Sequence, residues 1–244
     1  MALPKLKTPL YNVTLPLSKK QVVFRPYNLG DEKLLIAASQ ARDSDPQFFV
    51  DNTLKVVSNC ISDTEGLVDR LPGVDVEYLL MMLRARSVGE TTQVQFTDPE
   101  TKKVVKTEID LTAFFVNDRE KSEYVIKLSD EIALKMREPT FRQKTEHAIK
   151  YKGKNNATDI IYELIADSVE SIADGDDVHV IGVDATREEL MEFLLGITTQ
   201  KVALYQFIRS APQLKVKLIV EGKELEVAGN QVDFLNSPTP TSTR

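Results

Sequence analysis

One segment, residues 74–89 with the sequence VDVEYLLMMLRARSVG, most constrains how this chain folds. Its apolar residues recur at helical spacing along one face and also fill much of the remaining circumference: Val76, Tyr78, Leu79, Leu80, Met81, Met82, Leu83 and Ala85. A helix that is apolar nearly all round is normally buried, and this one is too short to cross a bilayer. We therefore predict a central core helix that ends in a left-handed cap at Gly89.

Two arginines, Arg84 and Arg86, lie in the last turn of this helix, where positive charge suits the C-terminal end of the helix dipole. One interpretation is that they pair with the dipole and with nearby carboxylates inside the fold. The other is that at least one of them anchors a partner protein, because arginine is enriched at interface hot spots. The sequence leaves both interpretations open.

The bulk composition is that of a globular protein without nucleic-acid or membrane partners. Of the 244 residues 42% are hydrophobic and 28% charged, which is typical of a folded soluble domain or pair of domains. The net charge of -6 argues against a nucleic-acid-binding surface over the whole protein. The N-terminal sequence resembles neither a signal peptide nor a membrane anchor, so we expect a cytoplasmic protein. The single cysteine, Cys60, excludes an intramolecular disulfide and is most simply a small buried hydrophobe.

Alternating and helical patterns predict an α+β fold in which antiparallel hairpins pack with helices. Hairpins are predicted over residues 10–27, 92–111 and 214–227, with further extended segments at 124–128 and 132–136. Helices are predicted after N-caps at Asp31, Asp45, Thr186 and Thr198 or Thr199, and over residues 158–172. We expect an N-terminal α+β domain over 1–140, a mainly helical C-terminal lobe over 141–235 that ends in a hairpin, and a disordered tail over 236–244.

A basic stretch follows Pro139. It contains Arg142, Lys144, Lys150, Lys152 and Lys154. The stretch lacks interleaved aromatic residues and belongs to an acidic protein, so it is a weak candidate for nucleic-acid binding. We predict a solvated linker or the entry to the second lobe.

No catalytic motif is visible in the sequence. His147, His179 and Cys60 are too few and too scattered for a zinc site, and there is no glycine-rich phosphate loop or nucleophile elbow. We expect no catalytic, metal-binding or cofactor-binding residues, and no cofactor. Because carboxylates are plentiful, an enzyme with an unrecognised carboxylate site remains an alternative.

The two predicted helices after Thr186 carry more apolar residues than one facing stripe requires. These are Phe193, Leu195, Val202, Tyr205 and Phe207. Because they are spread around their helices, they cannot all face one neighbour, so some either complete a core or form an exposed interaction patch. The candidate partner-binding residues are therefore Arg84, Arg86, Phe193, Tyr205 and Phe207.

Four segments together resemble the baseplate hub assembly family of T-even-like contractile-tailed phages: MALPKLKTPLYNVTLP, VVFRPYNLGDEKLL, VDVEYLLMMLRARSVGE and TREELMEFLLGITTQKVALYQFIRSAPQLK. The run RARSVGE over residues 84–90, followed by a hairpin, is the most specific element. Family members often carry cysteine or CPDDG-like residues at the hairpin tip. Here the tip reads TDPETKK, so a metal-stapled version is not expected.

The resemblance implies a non-enzymatic protein that helps to build the central hub beneath the phage tail. Its expected partners are other baseplate hub or tail proteins. Its expected location is the host cytoplasm during assembly, with the finished virion baseplate as the alternative if it is a structural subunit. The oligomeric state is left open.

Overall fold

The chain leaves one structural unit and returns to it near its C-terminal end. A computed structural model describes residues 6–229 except for 64, 98–103, 118, 121–123, 152–156 and 221–222. Unit 1 comprises Met1–Asn117 and Gln213–Arg244, and unit 2 comprises Asp118–Pro212. This division differs from the boundary predicted at residue 140, and the strand pairing below gives the reason. The predicted disordered tail lies outside the described residues.

Runs of helices and runs of short strands follow one another along the described chain. In order, the elements are β1 (Tyr11–Thr14), β2 (Gln21–Phe24), α1 (Leu29–Ala41), α2 (Pro46–Ile61), α3 (Leu67–Arg70), α4 (Gly73–Ser87), β3 (Thr91–Thr97), β4 (Val104–Asp110), a 3-10 turn (Leu111–Ala113), β5 (Phe115–Val116), β6 (Val125–Lys127), β7 (Ile132–Met136), α5 (Phe141–Lys150), α6 (Ala157–Ser168), β8 (Val169–Asp174), β9 (Asp177–Val180), α7 (Arg187–Gly196), α8 (Lys201–Arg209), β10 (Leu214–Val220) and β11 (Lys223–Ala228). The fold is α+β, as predicted.

The strands form four small sheets in which every pairing between strands is antiparallel. Unit 1 holds the hairpins β1–β2 and β3–β4 and the sheet β11–β10–β5, and unit 2 holds the sheet β6–β7–β8–β9. β7 pairs with β8, so residues 125–136 belong with the later helices rather than with the N-terminal domain. β10 pairs with β5, so the C-terminal hairpin belongs to unit 1 and not to the helical lobe.

The helix α4 is the central core helix of unit 1, as predicted. Ten of its fifteen residues are buried, and they lie all around its axis. α4 packs beside α2, β10 and the 3-10 turn. α4 ends at Ser87 with Val88 as its right-handed C-cap, and the predicted left-handed cap at Gly89 is not formed, because the φ of Gly89 lies far from the left-handed helical value of about +57°. Gly89 follows with φ +156°.

Asn28, and not Asp31, is the N-cap of α1. Its side-chain oxygen accepts hydrogen bonds from the backbone N–H groups of Gly30 and Asp31, at 2.8 Å and 3.0 Å. The carboxylate of Asp31 accepts in return from the Asn28 N–H at 3.1 Å, which completes a capping box. The helix therefore starts earlier than predicted. The prediction for α2 is confirmed, since Asp45 caps it and Pro46 is its first residue.

The described part of the basic stretch after Pro139 forms α5 instead of a solvated linker. The Thr140 hydroxyl accepts from the Gln143 N–H at 3.3 Å, and the Gln143 side chain accepts from the Thr140 N–H at 3.0 Å. This capping box, together with the buried side chain of Phe141, starts and anchors the helix. Lys152 and Lys154 lie outside the described residues.

The helix predicted over residues 158–172 ends early. α6 stops at Ser168, and Val169–Asp174 forms the strand β8 between β7 and β9. The apolar residues up to Ile172 have helical spacing, but pairing with β7 makes residues 169–174 a strand. Val169 is buried at the point where the chain changes from helix to strand.

The start of α8 also differs from prediction. Its N-cap is Gln200, in a left-handed conformation and without a side-chain capping bond. The Thr199 hydroxyl donates instead to the Leu128 carbonyl oxygen at 3.2 Å. The capping box at Thr186 is confirmed, since the Thr186 hydroxyl accepts from the Glu189 N–H at 3.2 Å.

The core of unit 2 lies where α6 packs against α7, α8 and β8. Its buried residues are Ile126, Leu134, Met136, Ile165, Ala166, Val169, Leu190, Leu194, Leu204 and Phe207. Of the helices that the structure describes, none is long and apolar enough to cross a membrane.

Candidate functional site

The outward face of α7 borders a shallow groove of about 450 Å³ on unit 2. It is lined by Glu163, Arg187, Glu188, Met191, Glu192 and Leu195, and we call it the α7 groove. The last four residues recur at i, i+3, i+4 and i+7, so they form one stripe along α7. The stripe places two apolar side chains beside two carboxylates.

Leu195 lies between this groove and a second concavity. Its side chain is 71% exposed, and it also borders a cavity of about 70 Å³ between α6, α7 and α8. The cavity is lined by Tyr162, Ile165, Leu194, Leu195, Ile197, Lys201, Leu204 and Tyr205. Val202 on α8 is 68% exposed. A single exposed leucine needs no explanation, and the feature that distinguishes Leu195 is that it lines both concavities.

The charges around the α7 groove are only partly neutralised. Arg187 donates to Glu163 at 2.5 Å and also bonds to Asp167, and Lys150 lies 3.5 Å from Glu163. Glu188 and Glu192 form no ion pair with any residue that the structure describes. The edge of the groove formed by α7 is therefore negatively charged and open to a cationic partner.

Two lining residues of the groove, Glu163 and Arg187, belong to a network of charged side chains. The buried Asp167 accepts from His147 Nε2 at 2.6 Å through one carboxylate oxygen and binds Arg187 through the other. Burial opposes ionisation of Asp167, but the hydrogen bond from His147 and the charge of Arg187 outweigh it, so the pKa lies below its ordinary value. The network joins α5, α6 and α7 and fixes the position of α7.

Sequence reasoning missed this network. Glu163 and Asp167 are spaced i, i+4 on α6, and two like charges at that spacing repel unless a cation neutralises them. That spacing was the available signal. The cation, Arg187, lies 20 residues beyond Asp167, and no local pattern connects the two.

The two candidate arginines of α4 lie in unit 1 and differ in environment. Arg84 is 9% exposed and donates to the Thr92 hydroxyl at 3.2 Å, and its Nε has no hydrogen-bond partner in the described part of the chain. Arg86 is exposed, pairs with Glu90 one turn later, and lies 5.0 Å from the ring centre of Tyr11. Arg86 therefore pairs with a carboxylate inside the fold, as the first interpretation expects, whereas Arg84 pairs with no carboxylate of the described residues.

Comparison with known proteins decides the family. The sequence model of a family described as T4 bacteriophage base plate protein matches residues 8–236. The chain belongs to this family. Neither the curated proteins nor the solved structures give a match. Membership supports a structural or assembly role in the phage baseplate, among other baseplate or tail proteins.

In this baseplate protein Phe207 is a core residue. It is 4% exposed, and the guanidinium of Arg119 lies 3.9 Å from its ring centre. Arg119 in turn pairs at 2.5 Å with Glu138, whose side chain is 7% exposed. Phe207 is therefore enclosed within unit 2 and is not part of an exposed patch.

The other apolar residues of the helical pair divide between core and surface. Phe193 and Tyr205 are half-buried against the core of unit 2, and the Tyr205 hydroxyl lies 3.1 Å from that of Tyr162. Leu195 and Val202 are the exposed members. Within the helical pair, the exposed apolar side chains are thus Leu195 and Val202, and the half-buried Tyr205 lines the same cavity as Leu195.

Proposed function

We propose that this baseplate protein is a non-enzymatic assembly protein that promotes or forms the baseplate hub through protein–protein contacts. Family membership supports the baseplate role. The observation that carries the contact role is the exposed Leu195, which borders two concavities beside carboxylates that have no ion-pair partner in the described chain. An apolar centre with a charged rim is the usual anatomy of a protein interface.

Two groups that could carry chemistry, the Cys60 thiol and the Asp167 carboxylate, are committed to structure. Burial raises the pKa of the Cys60 thiol to about 12, which keeps it protonated and weakly nucleophilic. Both carboxylate oxygens of Asp167 are engaged by neighbouring cationic or hydrogen-bonding side chains. These assignments favour the non-enzymatic proposal over an enzyme with a carboxylate site.

The proposal is tested in phage that lack the gene for this chain. We expect tail assembly to stop before the hub is complete, and supply of the chain from a plasmid to restore it. Normal hubs in its absence would contradict the proposal. Mass spectrometry of purified virions then distinguishes a protein that only promotes hub assembly from one that forms part of the hub. An assembly factor is missing from the virion, whereas a structural subunit is present in fixed copy number.

A further inference from the structure

We infer that the α7 groove binds an amphipathic helix of another tail protein, a helix that carries lysine or arginine beside its apolar face. The inference rests on the proposed function, since it names the chemistry of the partner at the same site. Met191 and Leu195 are the apolar lining residues of the groove. Glu188 and Glu192 form its acidic edge, and neither has an ion-pair partner among the residues that the structure describes.

The negative charges of the groove favour a partner with basic side chains. Glu188 and Glu192 are exposed and spaced i, i+4, so their carboxylates repel each other. The nearest cation of the groove, Arg187, is held by Glu163 and Asp167 and does not neutralise them. A basic side chain from a partner relieves this repulsion and forms new ion pairs. The same carboxylates repel phosphate, which disfavours nucleic acid and anionic lipid as occupants.

The shape of the groove favours a helix as the occupant. Four of its six lining residues form a helical stripe along α7, and a helix laid beside this stripe presents apolar side chains at the matching i, i+3, i+4 and i+7 spacing. Leu195 then fits against the apolar face of the partner, and the half-buried Tyr205, which lines the neighbouring cavity, extends the contact. An extended segment could contact the apolar side chains. Its side chains repeat every second residue, however, and do not match the i, i+4 spacing of Glu188 and Glu192.

Two synthetic peptides of about 18 residues, about five helical turns, test this inference on the full-length protein. Both carry the same leucines at helical spacing, and they differ only in having lysine or glutamate beside them. Fluorescence anisotropy should give the lysine peptide a dissociation constant at least about tenfold lower, with the difference shrinking as salt is raised. Equal affinity for the two peptides, or binding of neither, overturns the inference.

Charge reversal supplies the matched control. Glu188→Lys with Glu192→Lys should reverse the preference toward the glutamate peptide, a result that a merely unfolded protein cannot give. Asp130→Lys with Glu131→Lys makes the same change in net charge at the exposed turn between β6 and β7 and should leave the preference unchanged. Retention of the lysine preference by the first variant overturns the inference. Because binding is measured without phage, its failure is distinguishable from failure of the hub role, which would appear as normal hubs in phage lacking the chain.

Discussion

The buried carboxylate of Asp75 accepts a hydrogen bond from the Leu17 N–H at 2.9 Å, across 58 residues of sequence. Its second oxygen accepts from the Ser18 N–H at 2.8 Å. Leu17 and Ser18 lie in the connection between β1 and β2, and Asp75 lies in the first turn of α4. One side chain thus attaches the N-terminal hairpin to the core helix of unit 1.

Replacement of Asp75 tests this attachment. Asp75→Ala leaves two backbone N–H groups without their acceptor and should lower the free energy of unfolding by about 2–4 kcal/mol. Urea unfolding followed by circular dichroism measures the change. The exposed Glu65→Ala should shift the midpoint little, and an Asp75 variant as stable as the wild type would refute the role of this contact.

The two arginines of α4 should respond differently to substitution. Arg84→Ala removes a buried stem and the hydrogen bond to Thr92, with an expected loss of about 1–3 kcal/mol. Arg86→Ala removes an exposed pair with Glu90 and should cost less than about 1 kcal/mol. Melting temperature and hub assembly are measured for both. Assembly is expected to fall only where the melting temperature falls, and a stable variant that fails in assembly would establish a partner role for that arginine.

The network around Asp167 predicts a loss of stability in acid. Burial opposes ionisation of Glu163 and Asp167, but Arg187 and the neighbouring cations hold each pKa below its ordinary value of 4.5 or 3.8. The stabilisation is therefore fully present above these ordinary values and is lost as the pH falls through the lower values of the folded protein.

Arg187→Met should accordingly be destabilised most at neutral pH, with the difference from wild type shrinking below about pH 4. Urea unfolding between pH 3 and pH 7 (about one-unit steps) measures this dependence. Lys201→Met removes one exposed cation of α8 and serves as the control. A difference between Arg187→Met and wild type that stays constant down to acid pH would contradict the account.

Cys60 should be inert in the folded protein. Its side chain is 1% exposed, and burial raises its pKa to about 12. At pH 8 the thiolate is then on the order of one part in ten thousand. A colorimetric disulfide reagent should therefore label the thiol only after denaturation. Rapid labelling of the native protein would show that the thiol is accessible and more acidic than described.

Local patterns in the sequence were sufficient for much of the fold. The buried helix α4, the hairpin β3–β4 and the capping box at Thr186 depend on residues close together in the chain, and each is present. Apart from misplaced helix caps, the predictions failed where a distant partner decides the structure. Residues 169–174 form a strand because β7 provides the pairing edge, and the C-terminal hairpin joins unit 1 because β5 pairs with β10.

The candidate site was only partly visible in the sequence. Helical spacing showed that Phe193, Leu195, Val202, Tyr205 and Phe207 could not share one neighbour. It could not show that Phe207 is enclosed beneath Arg119, because that contact spans 88 residues. The acidic edge of the α7 groove was hidden for a related reason. Glu188 and Glu192 look like ordinary exposed charges until Arg187 is seen to be occupied by Glu163 and Asp167.

The most direct test of the hub role and its surface is the yield of complete hubs in phage that carry Leu195→Lys. Lysine is compatible with the C-terminal turn of α7, so the fold should persist while the apolar contact is lost. Val183→Lys, at an equally exposed valine in the turn after β9, is the matched control. Electron microscopy of sedimented tail intermediates should show few complete hubs for Leu195→Lys and normal numbers for Val183→Lys. Normal hub yield from a folded Leu195→Lys protein would contradict the account.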